Sequence, residues 1–148
     1  MFQKPLQWLC FLCLLPSMLF AEGLLPFLQS IPSLKIVKEL ESQDHFGQAF
    51  ELQLLQPLDH ENPNGKTFQQ RIFLCHHSSK HSVVLETEGY NLRNHKTLEL
   101  SQMLQANQIQ VEYRYYGKSK PDSIDWKHLT NRQAIEDLHR IVAIFKEF

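Results

Sequence analysis

Residues 83–115, VVLETEGYNLRNHKTLELSQMLQANQIQVEYRY, decide the fold class. Val83-Val84-Leu85 is a short apolar run of the kind found in a central strand buried on both faces, and it ends in Glu86-Thr87-Glu88-Gly89-Tyr90. Lys96–Ala106 carries Leu98, Met103 and Leu104 at helical spacing. Ile109–Tyr115 then places Ile109, Val111, Tyr113 and Tyr115 on one face of a strand. Strand, helix and strand in that order predict a parallel pair joined by a right-handed crossover.

Upstream, Phe46, Phe50, Leu52 and Leu54 alternate with Gly47, Ala49, Glu51 and Gln53, the period of a strand with one buried face. Asn64-Gly65 is a hairpin cue, and Thr67–His76 reads as the returning strand. Downstream, Thr130 opens a capping box with Gln133 and leads a helix to Phe148. Its apolar stripe is Ile135, Leu138, Ile141, Val142, Phe145 and Phe148. The chain is therefore α/β in class: an antiparallel hairpin, then βαβ and a terminal helix. Two helices cannot cover both faces of such a sheet, and no strand follows the last one, so the fold reads as incomplete.

The first residues are a separate object. Lys4 is the only charge before Glu22, and Trp8–Phe20 is almost wholly apolar. That core is short for a bilayer span but suits a secretory signal, with Ala21 as the small residue for cleavage. The chain thus divides into a signal peptide at 1–21, a leader or loop at 22–45 punctuated by Pro26 and Pro32, and the domain at 46–148. Export without a lasting membrane attachment is the expectation, and an uncleaved N-terminal anchor is the alternative. Cys10 and Cys13 leave with the signal, so Cys75 is alone and no internal disulfide is available. Inside an apolar strand it reads as packing.

Fifteen basic and 16 acidic side chains give a net charge of −1, which offers no electrostatic reason to expect a nucleic-acid partner. No phosphate-cradling glycine loop and no complete metal-ligand set is present, so no cofactor is expected. His76, His77 and His81 surround a turn with no Cys, Asp or Glu among them, and a solvated turn is the plainer reading than a metal site. His139 reads as a packing histidine of the last helix, and Glu136, Arg140, Lys146 and Glu147 as its solvated face. Gly117-Lys118-Ser119-Lys120-Pro121 has the outline of a nucleophile turn, but Pro121 stands where a second glycine is required. Ser119 therefore reads as a structural turn residue.

Residues 112–121, EYRYYGKSKP, resemble the strand-end turn of α/β-hydrolases, with Glu112, Arg114, Gly117 and Ser119 at the recurring spacing. The two tyrosines before the glycine look like the prolyl-carboxypeptidase and dipeptidyl-peptidase relatives. Gln56-Pro57-Leu58-Asp59-His60, Phe68-Gln69-Gln70-Arg71-Ile72, Glu88-Gly89-Tyr90 and Ala106-Asn107-Gln108-Ile109 extend the likeness. With Trp126, Leu129-Thr130, Asp137 and His139-Arg140-Ile141-Val142, the string is similar to the secreted tripeptidyl and prolyl aminopeptidase family of serine peptidases.

The resemblance implies acyl transfer by a Ser-His-Asp triad, with a peptide as substrate and its free N-terminus as the handle. It implies that the serine lies on a G-x-S-x-G turn one strand beyond the last helix, so that no catalytic residue falls in this chain and the chain alone is inactive. Gly89 and Tyr90 then fall where one oxyanion-hole N–H is placed, the alternative being an ordinary strand-terminating turn. Glu88, and less well Glu112, would hold the substrate's α-ammonium, since an unpaired buried cation is costly. For Glu112 the plainer reading is an ion pair with Arg114 on the same strand face. The alternative for the whole chain is a non-catalytic exported remnant or binding module.

Overall fold

The computed structural model describes residues 23–146; the signal segment at 1–21, Glu147 and Phe148 lie outside the described residues. Within them the elements are α1 (Leu24–Ser30), β1 (Leu34–Leu40), β2 (Gln48–Pro57), β3 (Thr67–His76), β4 (Val83–Thr87), α2 (Glu99–Leu104), β5 (Asn107–Val111), a 3-10 turn at Trp126–His128, and α3 (Asn131–Phe145). The five strands form one sheet in the order β1-β2-β3-β5-β4. β1, β2, β3 and β5 pair antiparallel in turn, and β4 runs parallel to β5, as a strand-helix-strand unit demands.

The segment expected to be leader or loop is instead part of the fold. α1 and β1 occupy it, and β1 pairs with β2 from Leu34↔Leu54 to Leu40↔Ala49. Pro26 misled the sequence reading because it sits in the first helical turn. There the N–H it lacks would have had no intrahelical partner anyway.

One face of the sheet carries the core: Phe50, Leu52, Leu54, Ile72, Leu74, Ile109 and Val111, covered by Leu24 and Leu28 of α1 and Ile141 of α3. The other face is largely polar and yet buried, so β2 is buried on both sides and not on one. Gln108 and Gln110 lie on it and stitch down the segment that enters α2. Gln108 Oε1 accepts from the Leu98 amide at 2.8 Å and its amide donates to Lys96 O at 2.7 Å, while Gln110 donates to Glu86 at 2.6 Å. Each buried amide thus replaces the water it gave up.

Three further expectations change. In α2, Ser101 is the buried residue while Leu100, Met103 and Leu104 are exposed, and the helix ends after six residues at Gln105 in a left-handed conformation (φ 49°). β5 stops at Val111, and Tyr115 takes a positive φ of 72°, so Tyr113 and Tyr115 belong to a turn and not to the strand face. The capping box of α3 is half made. Thr130 Oγ1 accepts from the Gln133 amide at 3.3 Å, but the Gln133 side chain reaches forward to Asp59 Oδ1 and accepts from the His60 amide.

Among the described residues β4 has a strand on one side only, and Val83 on it is half exposed. Ile135 and Val142 on α3 are exposed as well, and Val142 joins Val83, Leu85 and Phe145 around an apolar hollow of about 190 Å³. Among the described residues the β4 edge of the sheet is parallel and unpaired.

Candidate active site

In open α/β sheets ligands bind beyond the carboxyl ends of the parallel strands. Here two turns meet at that end: Glu88-Gly89-Tyr90 after β4, and Glu112–Ser119 after β5. They are joined by main-chain bonds, the Glu88 amide to Val111 O at 3.2 Å and the Tyr113 amide to Tyr90 O at 3.3 Å. Gly89 has φ 33°, and a Cβ there would touch nothing within 4 Å. The Tyr90 amide donates to Glu88 O inside the turn. Glu88 is half-buried and, among the described residues, is the one carboxylate lining a cleft of about 500 Å³ formed with Tyr90, Asn91, Leu92, Arg93 and Lys96.

Glu112 does not face that cleft. It is fully buried, and its carboxylate receives three donors: the Leu92 amide at 2.9 Å on Oε1, and the Lys118 amide at 2.8 Å and the Ser119 hydroxyl at 2.9 Å on Oε2. Its expected ion pair with Arg114 is absent, because Arg114 turns to the opposite side of the turn. A buried carboxylate satisfied by amides and a hydroxyl needs no cation. Gly117 is required by this arrangement. It has φ 46°, and a Cβ would sit 2.6 Å from the carboxyl carbon of Glu112.

Ser119 is likewise fully buried. Its hydroxyl donates to Glu112 and accepts from the Arg71 amide at 2.9 Å, so both hydrogen-bonding directions are spent and no substrate carbonyl reaches it. Arg71 completes the clamp. Its guanidinium donates to Leu92 O at 2.5 Å and to Glu51 at 2.8 Å. Leu92 is therefore held by both its N–H and its C=O, which fixes the loop that carries Glu88 to Tyr90. Burial opposes ionisation of Glu51, but the hydrogen bonds and charges of Lys118 and Arg71 outweigh it and hold its carboxyl below the usual range.

Arg114, with no exposed surface, anchors the far side. It pairs with Asp137 through Nε (2.8 Å) and Nη2 (3.0 Å) and donates to the carbonyls of Pro57, Leu58 and His128. Asp137 also bonds His60 Nε2 at 2.7 Å. The hairpin loop, the turn after β5 and α3 are pinned by this one cluster. Sequence reasoning did not assign these partners. The available signal was a carboxylate, Asp137, set between Ala134 and Ile141 on the buried side of α3, where an acid must have a cation.

His139 is exposed and lies 3.8 Å from Glu136, so it does not pack into the core. Arg140, expected on the solvated face, folds back onto Leu55 O and Gln56 Oε1. His77 donates to His45 O at 2.7 Å and its ring meets those of His45 and His81 at 5.3 and 4.5 Å. Among the described residues no group of three or more His, Cys, Asp or Glu could hold a metal ion, and no helix is long and apolar enough to cross a membrane.

The structure is thus a mixed α/β sheet with two tight turns at the carboxyl end of its parallel strands, one bearing Glu-Gly-Tyr and the other clamped by a buried Glu and Arg. The chain belongs to the PS-10 peptidase S37 family, whose model matches residues 23–148. It is 35% identical over 117 residues to the prolyl tri/tetrapeptidyl aminopeptidase of Streptomyces mobaraensis, a match covering 78% of this chain and 24% of that protein. It is 33% identical over 109 residues to "Probable serine protease EDA2" of Arabidopsis thaliana, covering 66% of this chain and 22% of that protein. The chain spans about a quarter of the length of these relatives.

Proposed function

We propose that this chain is the N-terminal portion of an exported serine aminopeptidase of α/β-hydrolase fold, releasing short peptides or proline-containing units from free N-termini. The observation that carries the reading is the unpaired parallel edge of β4 next to Glu88-Gly89-Tyr90. A further strand laid along that edge would bring a nucleophile turn to the same end of the sheet, within reach of the Gly89–Tyr90 backbone. Alone, the described residues bind and position but supply no nucleophile. The open space around Gly89 lets the Tyr90 amide turn from Glu88 O towards a substrate oxyanion. Glu88 at the cleft rim meets the α-ammonium.

A fluorophosphonate probe tests this directly. The full-length protein carrying this segment labels stoichiometrically at a serine beyond residue 148, and the 148-residue chain does not label. A full-length product without a labelled serine would leave a non-catalytic exported module as the correct reading.

A further inference from the structure

Five residues from four segments close a ring of hydrogen bonds on the polar face of the sheet. Arg71 Nε on β3 donates to Glu51 Oε1 on β2 at 2.8 Å, and Arg71 Nη1 donates to Leu92 O at 2.5 Å. The Leu92 amide donates to Glu112 Oε1 at 2.9 Å and the Lys118 amide to Glu112 Oε2 at 2.8 Å. The Lys118 ammonium then returns to Glu51 Oε1 at 2.9 Å. The backbone of Arg71 is committed as well, its amide to Ser119 Oγ and its carbonyl to the Glu112 amide at 3.1 Å. Glu51, Arg71 and Glu112 are buried by the described residues themselves. A buried ionic network is often no more stable than the apolar packing that could replace it. What this ring adds is a fixed geometry for Leu92.

Resting on the peptidase reading above, we infer that Arg71 is a positioning residue of the reaction: oriented by Glu51, it acts through Leu92 to hold the Tyr90 amide where the oxyanion forms. Leu92 lies two residues past Tyr90. The turn between Glu88 and Tyr90 has little packing of its own, since a Cβ at Gly89 would meet nothing within 4 Å and the Tyr90 amide is bonded inside the turn, to Glu88 O. Its place is inherited from the Tyr113 amide, which donates to Tyr90 O at 3.3 Å, and from the grip on Leu92. Arginine suits the task because its planar fork serves two acceptors in fixed directions, here Glu51 and Leu92 O, whereas a lysine is a point charge. An oxyanion exists only in the transition state and the intermediate that follows it. A displaced donor therefore lowers kcat and leaves KM almost unchanged.

The test uses the full-length protein and a tripeptide anilide with a free N-terminus, with kcat expressed per site labelled at the end of a fluorophosphonate titration, so that unfolded molecules drop out. Arg71→Met lowers kcat at least about tenfold, less than outright removal of an oxyanion donor, while KM stays within about threefold. Arg71→Lys loses less, and Glu51→Gln, which keeps an acceptor for Arg71 but not the charge, loses less again; both serve if Arg71→Met yields too little protein. A tripeptide boronate, which forms a tetrahedral adduct on serine, loses affinity by the same factor as kcat/KM. Unchanged kcat per labelled site in Arg71→Lys and Glu51→Gln overturns the inference and leaves Arg71 a purely structural residue. A raised KM with unchanged kcat overturns it too, since that is a loss of ground-state binding. A wild-type protein that neither cleaves the anilide nor takes the label overturns the peptidase reading and the positioning role with it. A labelled, active wild type whose kcat ignores Arg71 overturns the positioning role alone.

Discussion

Replacing Glu112 by Gln changes one oxygen of the carboxylate into an NH2 group with almost no change of shape, and the structure says where the cost falls. The best rotamer keeps the remaining oxygen towards the Lys118 amide and the Ser119 hydroxyl, since that side holds two of the three donors. The new NH2 then faces the Leu92 amide, donor against donor. Ser119 cannot relieve the clash by turning, because its oxygen already accepts from the Arg71 amide. Leaving a buried N–H unpaired costs about 1–3 kcal/mol, and the bonds that survive lose their charge assistance. Altogether about 2–4 kcal/mol of unfolding free energy is expected to be lost, a large share of the roughly 5–15 kcal/mol of a typical domain. Urea unfolding followed by circular dichroism measures the total. Amide hydrogen exchange at Leu92 measures the place, and should quicken more than exchange in β3 at Ile72 or Phe73. A Glu112 meant for a substrate amine predicts the opposite: an unchanged or higher stability and a quiet Leu92. A loss below about 0.5 kcal/mol, or one shared evenly by all amides, refutes the clamp.

Asp137→Ala leaves Arg114 buried with only carbonyl partners, and a broken buried pair costs about 3–5 kcal/mol. The double variant Arg114→Met, Asp137→Leu should recover much of that loss in the same urea assay, and a double no more stable than the single would count against a charge penalty. Acid should destabilise the domain in two steps of the same sign. Burial first, and then the charge of His77, lower the pKa of His76 from its ordinary 6.5. The neutral form is thus favoured in the fold, and its contribution is complete above pH 6.5 and fades as pH falls through the depressed value. Glu51, also depressed from its ordinary 4.5, adds a second loss lower down. A stability profile flat between pH 7 and 5, or one that His76→Gln fails to flatten in its upper step, would contradict this.

The hairpin partner Thr67–His76, the parallel β4–β5 pair and the Thr130 cap of α3 were legible in the sequence, because alternation, helical spacing and a capping hydroxyl act within a few residues of one another. The likeness to a peptidase family was legible too, carried by motifs in order along the chain. What the sequence could not say was which groups meet. Glu112 and Arg114 stand two apart and carry opposite charges, which suggested a pair. The turn at Tyr115 sends them to opposite sides, one to backbone amides 20 and 6 residues away and the other to Asp137. Likewise the apolar residues of α2 looked like a core stripe, and only the sheet order shows that they lie beside an open edge. Local periodicity fixes elements because its partners are neighbours. The partners of a buried charge are brought together by the whole topology, and only the folded chain decides them.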